Sequence, residues 1–271
     1  MKTLNNHIIL YDAECPMCSL YTKAFINTGM LDSNGRQPYQ TMPDSFCPLV
    51  DRQRAVNEIA LVNTQTGEVN YGIVSLFKVI ANAFPVFKGL FSWKPFIWFM
   101  SKGYSFISYN RRVIVPGNAD DDFEVQPTFR LIYRLAYLLF SWLVVGFILT
   151  AYAPLLKGMV PVGNEYREYL ICGVQIVFQG IIISMYAARK KWDYLGNMMT
   201  ISLAGALLLL PALLLAQFVA LPAIAYTLYF LGVAGLMFLE HIRRTKILAL
   251  GWLMTITWIL YRLGILVLIL K

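Results

Sequence analysis

The distribution of hydrophobic residues divides the chain into two halves. From residue 129 onward, long apolar runs alternate with short polar connections, and each run has about the 20 residues that a helix needs to cross a bilayer. The pattern therefore predicts five transmembrane helices in residues 129–271. Pro211 and Pro222 flank the connection between the third and fourth runs, so either proline can mark the break, and a count of four is the alternative. The runs occupy residues 131–156, 168–188, 198–217, 220–239 and 247–270.

The first 115 residues have the mixed pattern of an α/β domain. Two aromatic-rich helices, separated near Pro85 and Pro95, are expected in residues 74–106. Aromatic residues alternate with lysines there, which suits either a helix at the membrane surface or helices that cover the sheet. Residues 116–128, with Pro, Gly and an acidic run, are predicted to be a linker between domains 1–115 and 129–271. The other predicted elements are strands at 7–11, 58–62 and 69–71 and a helix at 19–27.

Composition supports a membrane-embedded second half. At 58% hydrophobic and 14% charged residues, with a mean hydropathy of +0.58, the chain is too apolar for a purely soluble protein. Residues 1–128 contain 11 Lys and Arg and 11 Asp and Glu, whereas residues 129–271 contain 12 and 4, so the net charge of +8 lies in the apolar half. Because this excess lies in connections between apolar runs, it indicates membrane orientation and not nucleic-acid binding.

The basic connections predict how the chain crosses the membrane. Residues 189–191 and 241–246 are rich in basic residues, and Arg130 and Arg134 mark the entrance to the first span. Lysine and arginine are in excess in cytoplasmic loops. The N-terminal domain is therefore expected in the cytoplasm and the C-terminus, Lys271, outside a plasma or bacterial inner membrane. The first ten residues lack the pattern of a signal peptide.

A CxxC motif, Cys15-Pro16-Met17-Cys18, follows the first predicted strand. A strand that leads into a CxxC at the start of a helix is the arrangement of thioredoxin. The helix N-terminus favours the thiolate of Cys15, and Cys18, one turn deeper, can resolve a mixed disulfide. Pro16 suits the first turn, where no N–H donor is required. The motif therefore predicts thiol redox chemistry.

Two other roles for the cysteine pair remain open. Paired cysteines are also half of a zinc site, and they can be an inert structural pair. Beyond Cys15 and Cys18, the N-terminal half has only Cys47 and His7 as further ligands of this type, without a second CxxC. No metal and no cofactor are therefore expected. Cys47 either forms a mixed disulfide with the pair or is a small buried apolar residue.

Three segments resemble the DCC family of thiol-disulfide oxidoreductases, a thioredoxin-like group. Residues 12–18, which follow an apolar strand ending in Tyr11, resemble the DxxCxxC signature. Residues 103–112 are similar to the closing helix of the family, which carries a Tyr and then an Asn-Arg pair, and residues 58–71 are similar to its late β-hairpin. The resemblance covers residues 5–115. It implies a thioredoxin-like fold and a thiol-disulfide oxidoreductase activity.

Two acidic residues precede the first cysteine. Asp12 can accept a proton from the dithiol or orient a water molecule, which would make it catalytic together with Cys15 and Cys18. Its carboxylate can equally cap the helix that starts at the cysteines, since Asp is a favoured N-cap residue. Glu14 is expected to be solvated, and its charge would raise the pKa of the neighbouring thiol.

Four further residues are candidates for supporting the site. Tyr11 ends the first strand, and Pro16 begins the helix. Asn110 and Arg111 can position a sulfenate or a substrate carboxylate, because arginine forms fork-like contacts with such groups. The alternative is that both belong to the last turn of a helix, whose dipole favours cations.

The transmembrane half contains few ionisable or reactive residues. Arg262 lies well inside the fifth run, and an ionisable residue at such a depth is by default a functional hypothesis. Glu240 is expected to form a helix-end ion pair with Arg243 or Arg244. Cys172 has no second cysteine in the spans, which disfavours a thiol oxidase with its own membrane cysteine pair.

Together these observations predict a membrane-tethered thiol-disulfide oxidoreductase that reduces or relays disulfides on the cytoplasmic side. Its expected partners are a protein or small-molecule disulfide, the lipid bilayer and, as a further option, a membrane protein complex; no nucleic acid is expected. The main alternative is a membrane assembly or accessory subunit whose thioredoxin-like domain is a docking module. A transporter with a thiol gate is disfavoured by the few polar groups in the spans.

Overall fold

The computed structural model describes residues 2–42, 49–117 and 128–270. The chain forms two compact units, residues 1–133 and residues 134–271. Most of the predicted linker at 116–128 lies outside the described residues, as does Cys47.

The described residues of the first unit are built on a four-stranded mixed sheet. The spatial order of its strands is β2-β1-β3-β4, with β1 parallel to β2, and with the pairs β1–β3 and β3–β4 antiparallel. Ile9 lies opposite Arg36 on one side and Leu61 on the other. β1 is therefore a central strand, and its C-terminal end carries the CxxC motif. The strands are β1 His7–Tyr11, β2 Arg36–Pro38, β3 Ala60–Asn63 and β4 Val69–Tyr71.

Five α-helices accompany the sheet in the part of this unit that the structure describes. The first connects β1 to the parallel strand β2, as a crossover connection requires. The β3–β4 hairpin turns at Gly67, whose φ of 72° suits a residue without a side chain. Arg111 and Asn110 lie near the end of the last and longest helix. The helices are α1 Pro16–Asn27, α2 Arg52–Asn57, α3 Ile73–Ala83, α4 Lys88–Phe91 and α5 Lys94–Ile114.

Both faces of the sheet are covered and buried. Since side chains alternate along a strand, neighbouring residues pack on opposite faces. Ile9 packs on one face with Phe25 of α1 and Val79 of α3. Leu10 packs on the other face with Ala55 of α2. A sheet that is covered on both faces holds its central strand rigidly and fixes the start of α1 relative to β1.

The aromatic segment divides differently from the expected two helices. α3 ends before Pro85, a short 3-10 helix and α4 follow, and α5 begins beside Pro95. α3 covers the sheet, whereas Trp93 and Trp98 near the start of α5 are exposed. The covering role therefore belongs to α3, and the predicted role at a membrane surface remains a prediction for the start of α5.

Among its described residues, the second unit contains five apolar helices long enough to cross a membrane, each of 18 to 25 residues, and they make the chain an integral membrane protein. Even the shortest, at 18 residues, extends about 27 Å at 1.5 Å per residue, close to the ~30 Å hydrocarbon core of a bilayer. The helices are α6 Leu131–Tyr152, α7 Arg167–Tyr186, α8 Lys191–Leu215, α9 Ala223–Ile247 and α10 Leu253–Leu270.

The helix ends differ from the ends of the apolar runs. α8 begins at Lys191 and not at 198, and it continues through Pro211. The break before α9 therefore lies at Pro222, which precedes the first residue of that helix. Residues 241–246 were predicted to be a connection between helices. This is wrong, because α9 continues to Ile247 and contains Arg243 and Arg244 in its last turns. A helix continues as long as its main chain can bond internally, whatever the polarity of the side chains.

Small residues lie where neighbouring helices of the bundle approach closely. A side-chain carbon added at Gly146 of α6 would lie 2.4 Å from the ring of Tyr169 on α7. At Gly205 of α8 it would lie 2.2 Å from the sulfur of Met237 on α9. Glycine at such positions allows close van der Waals packing, on which helix association in a membrane depends.

Candidate functional site

The two cysteines lie at the junction of β1 and α1. Cys15 is the N-cap of α1, and its sulfur accepts a hydrogen bond from the main-chain N–H of Cys18, with 3.3 Å between the two atoms. Pro16 occupies the first turn, where its missing N–H costs no hydrogen bond. Both thiols are free and buried, with 2% of Cys15 and 4% of Cys18 exposed.

Hydrogen bonding at the helix N-terminus favours the thiolate of Cys15. The thiol of Cys18 donates to the Cys15 sulfur and lowers the pKa of Cys15 to about 7. Burial acts in the opposite direction, while the Cys18 main-chain N–H and the charge of Arg111 contribute to the lowering. At neutral pH a large fraction of Cys15 is therefore the thiolate, the reactive form of cysteine.

The pKa of Cys18 is shifted in the opposite direction to that of Cys15. Its hydrogen bond to the Cys15 sulfur, followed by its burial, raises the pKa of the Cys18 thiol well above its usual range. One thiol of the motif is thus poised to ionise first, and the other holds its proton. The first thiol to ionise is therefore Cys15, which suits the role of nucleophile in a thiol-disulfide exchange.

A buried ion pair lies beside the thiols. The Arg111 Nη2 atom is 2.6 Å from the Asp12 Oδ2 atom, and both side chains are at least 95% buried. The second oxygen of Asp12 accepts from the amide of Gln40 at 2.9 Å and from the main-chain N–H of Glu14 at 3.1 Å. The alternative that Asp12 caps α1 is wrong, because Cys15 itself is the N-cap.

Arg111 also joins α5 to the end of α2. Its guanidinium donates to the main-chain oxygens of Val56 and Asn57, at 2.8 and 3.2 Å, and to the hydroxyl of Ser108. Burial opposes the charge of Arg111, but the carboxylate of Asp12 raises the pKa of Arg111, so the side chain is a permanent cation. The helix-end interpretation of Arg111 is therefore incomplete, since its charge is directed at Asp12 and the thiols.

Glu14 differs from its expected solvated state. Its carboxylate is largely buried, with 14% of the side chain exposed, and it lies 2.6 Å from the guanidinium of Arg112. Arg112 is also 4.0 Å from Asp12. The next residue of α5 therefore supplies a second cation to the acidic residues that precede Cys15.

The three remaining predicted residues, Tyr11, Pro16 and Asn110, differ in their contacts near the two cysteines. Tyr11 is half-buried, and the guanidinium of Arg36 stacks 4.2 Å from its ring centre. Pro16 is exposed next to Cys15. The Asn110 amide donates to the main-chain oxygens of Phe106 and Tyr133, so these contacts anchor the end of α5. The predicted substrate-positioning role of Asn110 stays a prediction.

Three side chains near the site were not predicted. The hydroxyl of Tyr21 lies close enough to Cys18 to act on the pKa of its thiol, and its position three residues after Cys18 on the same helix face is a signal that could have found it. Gln40 bonds Asp12, as described above, and also accepts from the Ala13 main-chain N–H at 3.2 Å. Tyr39 lies beside Gln40 in a short 3-10 helix, where burial and the charge of Asp12 raise the pKa of Tyr39 to about 12. Nothing in the sequence links residues 39 and 40 to residue 12.

Of the other two cysteines, Cys47 lies outside the described residues, and Cys172 is a half-buried free thiol of α7 in the second unit. Within the described parts of the chain, no three His, Cys, Asp or Glu side chains are grouped closely enough to hold a metal ion.

Comparisons with protein-family models, curated proteins and solved structures found no match to this chain. Inference about function therefore starts from the geometry and the chemistry of the thiol site.

Proposed function

We propose that the protein is a membrane-anchored thiol-disulfide oxidoreductase that uses the dithiol of Cys15 and Cys18. The observation that carries this proposal is the position of Cys15 as the N-cap of α1, where its sulfur accepts a hydrogen bond from the Cys18 main-chain N–H. A cysteine at a helix N-terminus beside a buried cation is favoured as a thiolate, the form that attacks a disulfide. In a reducing compartment the pair rests as a dithiol, so reduction or relay of disulfides is the favoured direction.

The topology of the first unit supports a thioredoxin-like domain of the DCC type. A parallel β-α-β unit followed by an antiparallel β-hairpin and a helix, with the motif between β1 and α1, is the order of elements that such a domain requires. The segments that resemble the DCC family map onto β1 and α1, onto the β3–β4 hairpin and onto α5. In this assignment Asp12 and Arg111 are parts of one site although they are 99 positions apart.

The proposed reaction has two exchange steps. The Cys15 thiolate attacks one sulfur of a substrate disulfide, forms a mixed disulfide and releases the first substrate thiolate. Cys18 then loses its proton and attacks the Cys15 sulfur, which forms the Cys15–Cys18 disulfide and releases the second substrate thiolate. Two electrons pass to the substrate, and a dithiol reductant restores the pair.

The ion pair beside the thiols has a positioning role in this reaction. Arg111 stabilises negative charge on Cys15, while the nearby charge of Asp12 opposes it. Arg111 without Asp12 would be a buried, uncompensated cation, which is costly. The pair therefore holds a cation close to the thiols at a tolerable cost in folding free energy.

A docking module with inert thiols is the second candidate, and the burial of Cys15 favours it. The main chain at Gly117 lies against Glu14 and Pro16, so that an added side-chain carbon would be 2.3 Å from the Glu14 oxygen. A protein disulfide can reach Cys15 only if this part of the surface opens locally. Inert thiols would form no mixed disulfide with any substrate.

Trapping the mixed disulfide distinguishes the two functions. In the full-length protein with Cys47→Ser and Cys172→Ser, we expect Cys18→Ser to form a stable adduct with glutathione disulfide, seen as a mass increase of one glutathione. The matched variant Cys15→Ser is expected to form the adduct at least ten times more slowly, since Cys18 lies buried one turn inside α1, and burial disfavours its thiolate. Equal rates for the two variants, or no adduct in either, would contradict the proposal.

A further inference from the structure

The interior of the transmembrane bundle contains buried N–H groups without acceptors. Among the described residues, the Nε1 atom of Trp258, the Nε2 atom of Gln175 and the Nε atom of Arg262 are buried and have no hydrogen-bond partner. The three groups are neighbours, because the Arg262 guanidinium lies 4.3 Å from the Trp258 ring centre and 3.3 Å from the Gln175 Oε1 atom. All three unsatisfied groups are donors, and a buried donor without an acceptor is costly.

The nearby side-chain acceptors are already engaged. Gln175 Oε1 accepts from Arg262, and Gln179 Oε1 accepts from the Tyr194 hydroxyl at 2.9 Å. The Nε2 atom of His241 contacts the same hydroxyl at 3.2 Å. The cluster therefore has more donors than acceptors, and an acceptor from outside the protein would complete it.

Arg262 also brings a positive charge deep into the bundle. It lies nine residues after Leu253, the first residue of α10, which is about 14 Å along the helix axis and close to the middle of a bilayer. No carboxylate of the described residues lies within ion-pair distance of it. Three acidic side chains of the second unit, Glu168, Asp193 and Glu240, pair with other arginines.

An intramembrane cation without a counter-ion is costly and marks a functional site by default. A water molecule would supply an acceptor, but it would leave the charge uncompensated. A carboxylate would do both, since its two oxygens accept several hydrogen bonds and match the fork of a guanidinium. The chemistry of the cluster thus favours an organic anion.

The surroundings of Arg262 favour an anion that arrives from the lipid. Its side chain is half-buried, and Leu260 and Leu263 beside it are exposed on the outside of the bundle. In a membrane this surface contacts acyl chains. The phosphate of a bilayer lipid lies at the interface, about 15 Å above this depth, so a single-chain carboxylate suits the site better than a phospholipid headgroup.

We propose that the transmembrane bundle binds a long-chain carboxylate at Arg262. The carboxylate accepts from the Arg262 guanidinium and from the N–H groups of Gln175 and Trp258, and its apolar chain lies along the outside of α10. This site belongs to the second unit alone and does not depend on the thiol chemistry of the first.

Binding of radiolabelled palmitate to the full-length protein in nanodiscs of zwitterionic lipid tests the proposal. We expect saturable binding that methyl palmitate, with the same chain and no charge, displaces at least ten times less well. Arg262→Gln should weaken binding at least tenfold, while Arg243→Gln, which removes an exposed arginine of α9, should leave it unchanged. Equal displacement by the ester, or equal binding by Arg262→Gln, would overturn the proposal.

Gln175→Glu distinguishes a lost ligand site from a misfolded protein. The new carboxylate would stand within reach of Arg262 and act as an internal counter-ion. We expect this variant to lose palmitate binding at least tenfold while its thermal unfolding temperature stays the same or rises. Unchanged binding would contradict the proposal, as would displacement of palmitate by millimolar phosphate, which would assign the site to a water-soluble anion.

Discussion

At the scale of single residues, the thiol site shows which side chains local sequence can reveal. Cys15, Cys18 and Pro16 were predicted from a spacing of three residues, because an N-cap and its first turn are local structures. Arg111 was a candidate only through a resemblance, and its bond to Asp12 depends on how α5 packs against the sheet. Gln40 and Tyr39 could not be predicted, since long-range contacts leave no local pattern.

The first prediction concerns the ionisation of Cys15. With Cys47→Ser and Cys172→Ser, the rate of Cys15 alkylation by iodoacetamide should rise with pH around a midpoint near 7, because the thiolate is the reactive form. Cys18→Ala removes the thiol donor, so the midpoint should move up toward the ordinary cysteine value of about 8.5. The same midpoint in both proteins would show that Cys18 does not activate Cys15.

The second prediction concerns the buried ion pair. Arg111→Met leaves the buried Asp12 carboxylate without its closest counter-ion, which should lower the free energy of unfolding of the first unit by about 3–5 kcal/mol. It should also raise the alkylation midpoint of Cys15, because a nearby positive charge is lost. Denaturant unfolding and the alkylation profile measure the two effects separately.

The matched controls use the neighbouring charges. Arg112→Gln removes a half-exposed arginine and should cost less stability, because water can compensate for its loss. Adding Asp12→Asn to Arg111→Met should recover part of the lost stability by removing the buried negative charge. If the double variant is less stable than Arg111→Met, the pair is not coupled as described.

At the scale of helices and strands, the hydrophobic pattern predicts the number of transmembrane helices better than it predicts their first and last residues. Five apolar runs correspond to five helices, because only a helix satisfies the main chain within lipid. α8 begins at Lys191, seven residues before the predicted 198, because its first turns carry polar and aromatic residues, such as Trp192 and Asn197. Such residues lie outside the run of apolar residues that the sequence shows, but they still belong to the helix.

The third prediction tests helix packing in the bundle. Gly146→Ala should lower the free energy of unfolding by about 1–3 kcal/mol, because the added carbon would overlap the rigid ring of Tyr169. The control, Gly232→Ala, places the same carbon in open space on α9 and should leave stability unchanged or slightly higher. Thermal unfolding in one detergent compares the two variants, and equal effects would contradict the close packing of α6 and α7.

At the scale of the whole molecule, the chain combines a small α/β unit with a transmembrane bundle. Composition and charge were sufficient to predict this division, because burying a sheet in a protein core and crossing a bilayer require different residue patterns. Neither predicted the polar cluster around Arg262, which requires Gln175 on α7 and Trp258 on α10 to be neighbours. That cluster follows from helix packing alone.

The fourth prediction concerns membrane orientation. The basic residues at 189–191 and at the end of α9 predict that these ends face the cytoplasm, together with the first unit. In intact cells, with the native cysteines changed to serine, an impermeant thiol reagent should label Lys157→Cys and not Lys190→Cys. Both should be labelled after the cells are opened. Labelling of Lys190→Cys alone in intact cells would reverse the orientation.

The central claim, a redox-active dithiol at Cys15 and Cys18, is tested most directly by its reduction potential. Thiol trapping of the purified Cys47→Ser, Cys172→Ser protein across a glutathione series measures the fraction of disulfide. The account predicts a reversible two-electron transition between about −270 and −120 mV, the range of known thioredoxin-like catalysts. A pair that forms no disulfide, or has no defined midpoint, would contradict the claim and favour a docking role for the first unit.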